Sequence, residues 1–324
     1  MEKLFIVNCW SGKGRGLACK KIIEDWYGKR GERPIILSTA ADGLDTAFNL
    51  GKRAVREGFG RVVVVGGDGT YCLVVNGIMA TGVPLEQLPV LGFIQAGTGN
   101  NFAKNAGIPK KPVKALEMIE RNQAITVDFG KLILKNEEKY FLNVASFGFD
   151  ALLVGVAKKF GGQYRLLPKE SHYLLAALEE IVKGIPFYNI GVNGENPKEA
   201  ILVAVTNGPT YGAIFRIAPE ADLRDGLFDI CRINRVDKMK ALKDIVKVLK
   251  GTHVNLPEVA MSKAAFLTIS SPESLPCEID GEVLSAEKEY KIEVIPRGLK
   301  VLVPPTLLAA QSPLFVKAPE LQFA

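Results

Sequence analysis

Two carboxylates bracket a glycine in the run Glu278-Ile279-Asp280-Gly281-Glu282, inside an otherwise apolar stretch. Such a pair suits the phosphorylation of a hydroxyl. One carboxylate accepts the hydroxyl proton, and the other binds a cation that neutralises phosphate charge. Asp280 is the candidate base and Glu282 the candidate metal ligand. Read alone, Asp-Gly-Glu is equally an ordinary hairpin turn. A second chemistry lies in Gly66-Gly67-Asp68-Gly69-Thr70, which ends the β-branched run Arg-Val-Val-Val-Val at 61–65. A strand closing in consecutive glycines lets a phosphate approach the backbone with no Cβ in the way. The helix behind it aims unpaired N–H groups and a positive dipole end at the anion. Asp68, set among those donors, can reach a phosphate-bound Mg²⁺, which favours hard oxygen ligands. The same loop is also compatible with a tight turn that needs glycine for geometry only.

Gly97-Thr98-Gly99-Asn100 ends the next apolar strand, so both loops open on one edge of a sheet. A third loop, Ser11-Gly12-Lys13-Gly14-Arg15-Gly16, follows the first strand and brings two cations. It lacks the ending and spacing of a Walker A loop. Asn8, Gly12 and Lys13 from this region join Gly66, Gly67, Asp68, Gly69, Thr70, Gly97, Thr98, Gly99 and Asn100 as candidate nucleotide-binding residues. Three glycine-rich loops meeting at one crevice point to a nucleotide more than to turn geometry.

The elements that must position these loops alternate in the first third of the chain. Apolar strands are predicted over residues 3–8, 34–37, 61–65 and 90–94, with helices over 20–27, 44–56 and 71–79. Strand, loop and helix in repetition make a doubly wound, mostly parallel α/β sheet, whose ligands sit at the carboxyl ends of the strands. After residue 128 the pattern changes to short strands at 131–134, 140–145, 188–192, 200–206, 228–233, 265–270 and 290–295, the pattern of an antiparallel β-sandwich. Helical stretches interrupt it at 151–183, with a break near 161–168, and at 237–250; a last strand at 298–303 returns to the first domain. The division expected is therefore 1–128 with 297–305 for the nucleotide, 129–296 for the acceptor, and a tail at 306–324.

Bulk composition narrows the classes of partner. The net charge of +6, from 41 basic and 35 acidic residues, is too small to announce nucleic-acid binding but compatible with an anionic substrate or membrane face. Five scattered cysteines form no CxxC pair and indicate neither a disulfide framework nor a thiolate zinc site, which fits a reducing cytoplasm. The two histidines, His172 and His253, have no partner motif for a nucleophile relay. No apolar run reaches the length of a bilayer span, so contact with lipid is expected from the aqueous side, at the inner membrane face. The segment 238–250 spaces Met239, Leu242, Val246 and Leu249 on one helical face and Lys240, Lys243, Lys247 and Lys250 on another. It reads either as a helix resting on anionic headgroups or as the solvated face of a helix packed on the sandwich.

Taken in order, Gly66–Thr70, Gly97–Asn100, NVASFGFD at 143–150, NGPTYG at 207–212, APEADLRDGLFD at 218–229 and Asp280–Glu282 resemble the diacylglycerol kinase catalytic family, which includes bacterial lipid kinases and sphingosine kinases. NAD kinases and phosphofructokinases share the first of these motifs but not the later ones. The resemblance implies an ATP- and Mg²⁺-dependent kinase for a lipid alcohol, such as diacylglycerol or a sphingoid base. It implies an ATP site held by Thr39, Gly67 to Thr70 and Thr98, with Asp280 as base and Glu282 on Mg²⁺. It makes Asp128 a further acidic site residue and places a structural metal on the Asp225 carboxylate and the backbone carbonyls of Asp222 and Leu227. From residues alone, that last segment is an Asx turn. Where the family has Asn-Pro, Asn-Glu and Asp, this chain has Asn8-Cys9, Cys72-Leu73 and Asn101, and Lys104 replaces an Arg. Each change removes charge or hydrogen-bonding capacity beside the phosphates. The readings left open beside a lipid kinase are a regulator that binds lipid or nucleotide without chemistry, and a kinase of a soluble acceptor such as NAD. Oligomeric state, a homodimer included, is left open too.

Overall fold

The β-branched runs of the first third become the buried parallel core of a computed structural model that describes residues 2–40, 45–163, 170–212, 214–305 and 307. Strand β1 (Lys3–Val7) is followed by helix α1 (Ser11–Gly28), β2 (Ile35–Ser38), α2 (Ala47–Arg56), β3 (Arg61–Gly66), α3 (Asp68–Met79), β4 (Val90–Gln95), α4 (Asn101–Asn105) and α5 (Pro112–Glu120). The strands lie parallel in the order β2-β1-β3-β4. Val62, Val63, Val64 and Val65 are fully buried, because α1 and α5 pack together and so do α2 and α3, which leaves the central strand no wet face. The doubly wound α/β domain is thus as expected.

Helix boundaries differ in informative ways. The segment from Ser11 runs into the helix expected at residue 20, but Gly12, Lys13 and Gly14 take φ of 62°, 60° and 91° and form a loop inside it. Helix α3 starts at Asp68 and not at residue 71, with Gly67 as its N-cap. Leu44 lies outside the described residues, as does the tail except Leu307; of the break expected near 161–168, residues 161–163 continue a helix and 164–168 lie outside the described residues.

The second half continues with β5 (Ala124–Ile133), β6 (Glu138–Phe141), β7 (Val144–Gly148), α6 (Phe149–Gln163), α7 (Glu170–Lys183), β8 (Tyr188–Val192), β9 (Lys198–Thr206), β10 (Phe228–Asn234), α8 (Lys238–Lys250), β11 (Val259–Ala264), β12 (Phe266–Ile279) and β13 (Glu282–Leu302). Pairing among these strands is antiparallel. Strand β12 changes partner along its length, from β8 at Ile269 to β7 at Cys277, while β7 and β8 both pair with β9. The sheet therefore folds over itself into a sandwich, around Phe141, Phe147, Phe228 and Tyr290. Helices α6, α7 and α8 cover its outer face over a separate apolar cluster that includes Ile201, Leu202 and Phe215.

The strands expected at 265–270, 290–295 and 298–303 are pieces of two long ones. Register shifts between Ser270 and Leu275, Leu275 and Cys277, and Ile295 and Leu299 absorb Pro272, Pro276 and Pro296 without ending the ladder. Strand β11 carried no signal strong enough to be expected. The last residues of β13 leave the sandwich, and Val301 pairs in parallel with Leu91 of β4. No helix among the described residues is long and apolar enough to cross a membrane.

Candidate active site

The three glycine-rich loops meet at the carboxyl ends of β1, β3 and β4. Gly67 and Gly97 touch backbone to backbone: a Cβ on Gly97 would stand 2.3 Å from the Gly67 Cα. A Cβ on Gly12 would stand 2.0 Å from the Ala96 carbonyl oxygen. Glycine is thus required at both places for the loops to pack, so the geometric reading of these residues holds. Side chains tie the cluster further. Asn8 Nδ2 donates to Thr70 Oγ1 at 3.0 Å, and Asn8 Oδ1 accepts from the N–H groups of Trp10 and Ser11, both at 3.1 Å. Asn100 pins its own loop, accepting from Gly97 N at 2.9 Å, and the Arg15 guanidinium donates to the Gly97 carbonyl. Lys13, exposed at the loop tip, and half-buried Thr39, just past the end of β2, border the same edge of the sheet.

Asp68 opens α3 and is held by the next loop. Its carboxylate accepts from Phe102 N at 3.1 Å and Asn101 Nδ2 at 3.3 Å. Burial raises its pKa, against the pull of those donors.

Asp280 and Gly281 form the two-residue turn between β12 and β13, with φ of 45° and 88° and Ile279 paired to Glu282. The turn is a hairpin, and it is also what turns Asp280 inward. The Asp280 carboxylate accepts from the backbone N–H groups of Leu142 (2.6 Å), Asn143 (3.1 Å) and Val144 (3.0 Å). Burial pushes this carboxyl up to about 7, the Leu142 N–H pulls it down, and the charge of Asp68 adds to the rise.

One cleft is lined by Asp68, Thr98, Gly99, Asn143, Glu278 and Asp280. The catalytic candidate and two of the glycine loops therefore open on the same space. Glu282 is not among the residues lining it. Strand alternation explains the difference: Glu278 and Asp280 share a side of the hairpin, whereas Glu282 pairs with Ile279 and stays half-buried near Cys72, whose thiol pKa it helps raise after burial and Asp280. Glu278, passed over in the sequence, is 2% exposed and accepts from Gly281 N at 2.7 Å. Its place two residues before Asp280 was the available signal.

Asp128 stands elsewhere. Fully buried on β5, it accepts from Arg297 N and Gly226 N, both at 2.7 Å, and so fastens the 222–227 loop to the bend of β13. Burial raises its pKa, opposed by those two N–H groups. In that loop Asp222 Oδ1 accepts from Arg224 N (3.1 Å) and Asp225 Oδ1 from Leu227 N (3.0 Å), the Asx geometry read from sequence. The Lys263 ammonium lies 2.9 Å from Asp225 and 3.2 Å from Asp229. A cation bound at Asp225 would compete with that ammonium.

Beside the cleft lies an apolar cavity of about 110 Å³ between the sandwich and α6, α7 and α8, bounded by Ile181, Ile201, Ile245 and Val248 among others. The two spaces share Asp150, Leu153, Tyr211 and Phe215 as walls. Asp150 Oδ2 accepts from Ser146 Oγ at 2.6 Å and Tyr211 Oη at 2.7 Å, and burial raises its pKa. A polar cleft and an apolar cavity thus lie on either side of one wall, in which Asp150 is the buried acid.

Residues 2–132 match the diacylglycerol kinase catalytic domain, and residues 143–303 match the YegS C-terminal NAD kinase beta sandwich-like domain. A Mycobacterium tuberculosis protein named diacylglycerol kinase is 31% identical over 264 residues, 80% of this chain and 81% of that one. A Bacillus subtilis diacylglycerol kinase is 28% identical over 239 residues, 73% of this chain and 75% of its own. The solved structure of a Bacillus anthracis diacylglycerol kinase superposes with a TM-score of 0.67 at 21% identity, covering 94% of this chain and 97% of that one, a likeness of fold.

Proposed function

This chain belongs to the diacylglycerol kinase catalytic family and is a kinase acting on a lipid, and from that premise we propose that it transfers the γ-phosphate of ATP to a lipid hydroxyl, that of diacylglycerol or of a related alcohol such as a sphingoid base. One observation carries the reading. The cleft that joins Asp68, Gly99 and Asp280 has an apolar cavity as its neighbour, the two sharing Asp150, Leu153, Tyr211 and Phe215 as walls. This supports a reading with a phosphate donor and an acyl-bearing acceptor side by side and the hydroxyl at Asp280.

In this reading the loops around Gly12, Gly67 and Gly99 hold the phosphates with backbone N–H groups. Asp280 accepts the proton of the acceptor hydroxyl as its oxygen bonds to the γ-phosphorus. The bond from that phosphorus to the bridging oxygen breaks, and ADP leaves. A carboxyl near 7 suits this task, since a base works best with a pKa close to the working pH. Its three backbone donors fix its direction without supplying a proton of their own.

Asp68 offers a divalent cation a hard oxygen on the cleft, while Asp280 is engaged by three backbone N–H groups. No cluster of three metal-ligating side chains forms among the described residues, so phosphate oxygens and water would complete the shell. We assign Mg²⁺ to Asp68, where it would neutralise phosphate charge; Glu282, read from the sequence as a second ligand, does not line this cleft. A second cation on Asp225, Asp222 and Leu227 fits less well, because Lys263 already meets the Asp225 charge, and no step is drawn through it.

The regulator reading has one observation in its favour: the Asn101 amide hydrogen-bonds Asp68. A soluble acceptor such as NAD leaves the apolar cavity without a role. The test is to incubate the protein with labelled ATP, Mg²⁺ and detergent-dispersed diacylglycerol, sphingoid base and polyprenol. Label in a lipid product is expected; a preparation that binds ATP and labels none of them would contradict the proposal.

A further inference from the structure

Three acids punctuate the 222–229 segment, and the chain meets their charge from within. Asp222 Oδ1 lies 3.2 Å from Arg224 Nε. Asp225 and Asp229 share Lys263, which stands directly opposite Asp229 on the paired strands β10 and β11. An ammonium can donate to several acceptors at once, and here the two carboxylates lie 2.9 and 3.2 Å from it. Asp229 is 5% exposed, and its Oδ2 has no well-aligned hydrogen-bond donor among the described residues. Lys263 is the cation within its reach, and a buried carboxylate stripped of its partner is costly. The other oxygen of Asp225 is taken by Leu227 N.

The loop that this ammonium closes is joined to the candidate base in a few hydrogen-bonded steps. Asp128 N donates to the Leu223 carbonyl and Gly226 N to Asp128 Oδ2, both at 2.7 Å. Asn207 Nδ2 donates to the carbonyls of Asp128 and Leu142, both at 2.8 Å. Leu142 N donates in turn to Asp280 at 2.6 Å. Asp128 and Asn207 are fully buried, so water does not compete for the bonds between them.

We propose that the Lys263 ammonium is a built-in cation that closes the 222–229 loop in place of a divalent metal, and that it positions Asp280 through Asp128 and Asn207. The resemblance seen in the sequence puts a structural metal on Asp225, where the ammonium and a divalent ion exclude each other. A cation carried on the chain cannot be chelated or diluted away. The loop therefore stays closed at any divalent-ion level, and the divalent ion that the chain needs is the one beside the phosphates. The cation claim is independent of the kinase reading; what the positioning achieves rests on it.

The experiment has two arms, both on the full chain. The first is calorimetric titration with Mg²⁺ alone and with Ca²⁺ alone, without nucleotide. Wild type and Asp225→Asn are expected to give the same isotherm, since any ion on Asp68 is common to both. A binding event in wild type that Asp225→Asn abolishes would overturn the built-in cation. The second arm removes the ammonium. Lys263→Met should lower the melting temperature by about 2–4 °C, and Lys263→Arg should restore it. Amide exchange at residues 142–144 should speed up in Lys263→Met and return to the wild-type rate in Lys263→Arg. Loosening confined to the loop would not produce that change. In lipid phosphorylation Lys263→Met should lower kcat about ten-fold or more, with ATP affinity nearly unchanged. A Lys263→Met chain that melts and exchanges as wild type does would overturn the positioning role. Should that variant fail to fold, Lys263→Gln, which keeps a donor without the charge, takes its place under the same criteria. If no lipid is phosphorylated, the titration and exchange results keep their meaning and the kinase reading alone falls.

Discussion

Asp68 and Asp280 come from opposite halves of the chain yet line one cleft, and the charge on Asp68 helps burial hold the Asp280 carboxyl at about 7. A carboxylate set among N–H donors would ordinarily be acidic. Here burial outweighs three such donors, so the group can take up a proton near neutrality.

Turnover should therefore rise with pH through about 7 as Asp280 loses its proton. Asp280→Asn should abolish it while leaving nucleotide affinity nearly unchanged, as read by a pH–rate profile and by calorimetry. Stability carries the opposite sign. The folded pKa lies above the unfolded value of about 3.9, so the folded chain keeps a proton that the unfolded chain releases. The contribution of Asp280 is greatest below about pH 4 and is lost as pH rises through about 7. Denaturant titrations should show wild type losing ground to Asp280→Asn over that window.

Asn105 links the two halves beside the base. It donates to Asn143 Oδ1 at 2.7 Å and to the Thr210 carbonyl at 3.2 Å, and accepts from Thr210 Oγ1 at 2.7 Å. Asn143 N in turn donates to Asp280. Asn105→Ala should cost about 1–3 kcal/mol of stability by leaving polar groups unpaired. It should lower kcat more than ATP affinity, which melting and steady-state kinetics would separate.

Glu278 and Glu282 can be told apart. Glu282→Gln should raise the Mg²⁺ concentration needed for half-maximal rate if it helps hold the cation. Glu278→Leu should instead disturb the turn, because it removes the acceptor of the Gly281 N–H. The variant that moves the Mg²⁺ dependence names the ligand.

Gly97→Ala places a methyl group within 2.3 Å of the Gly67 Cα. Overpacking of this kind costs about 1–3 kcal/mol, and here it would part the two loops. ATP affinity is expected to fall sharply with circular dichroism unchanged.

What the sequence made legible was local. Val62 to Val65 announce a strand buried on both faces, and the glycines after them announce a loop that approaches something closely. Asp280 was legible as a turn residue and as a candidate base; the turn is present, and it sets the carboxylate on the cleft. Glu282 was paired with Asp280 because they are near in sequence, but a two-residue turn puts Glu282 beside Ile279 and leaves Glu278 on the cleft. The long strands β12 and β13 were hidden by Pro272, Pro276 and Pro296, whose cost is absorbed by bulges that no single residue announces. The apolar cavity was invisible because it is made by α6, α7 and α8 meeting one sheet face. Asn105 gave no signal because its partners lie in the other half of the chain.

The most direct measurement is a crystal structure of the chain with Mg²⁺ and a non-hydrolysable ATP analogue. The triphosphate is expected between the Gly67 and Gly99 turns, with its terminal phosphate toward Asp280 and the cation on Asp68. A nucleotide bound elsewhere, or one whose terminal phosphate points away from Asp280, would contradict phosphoryl transfer at this cleft.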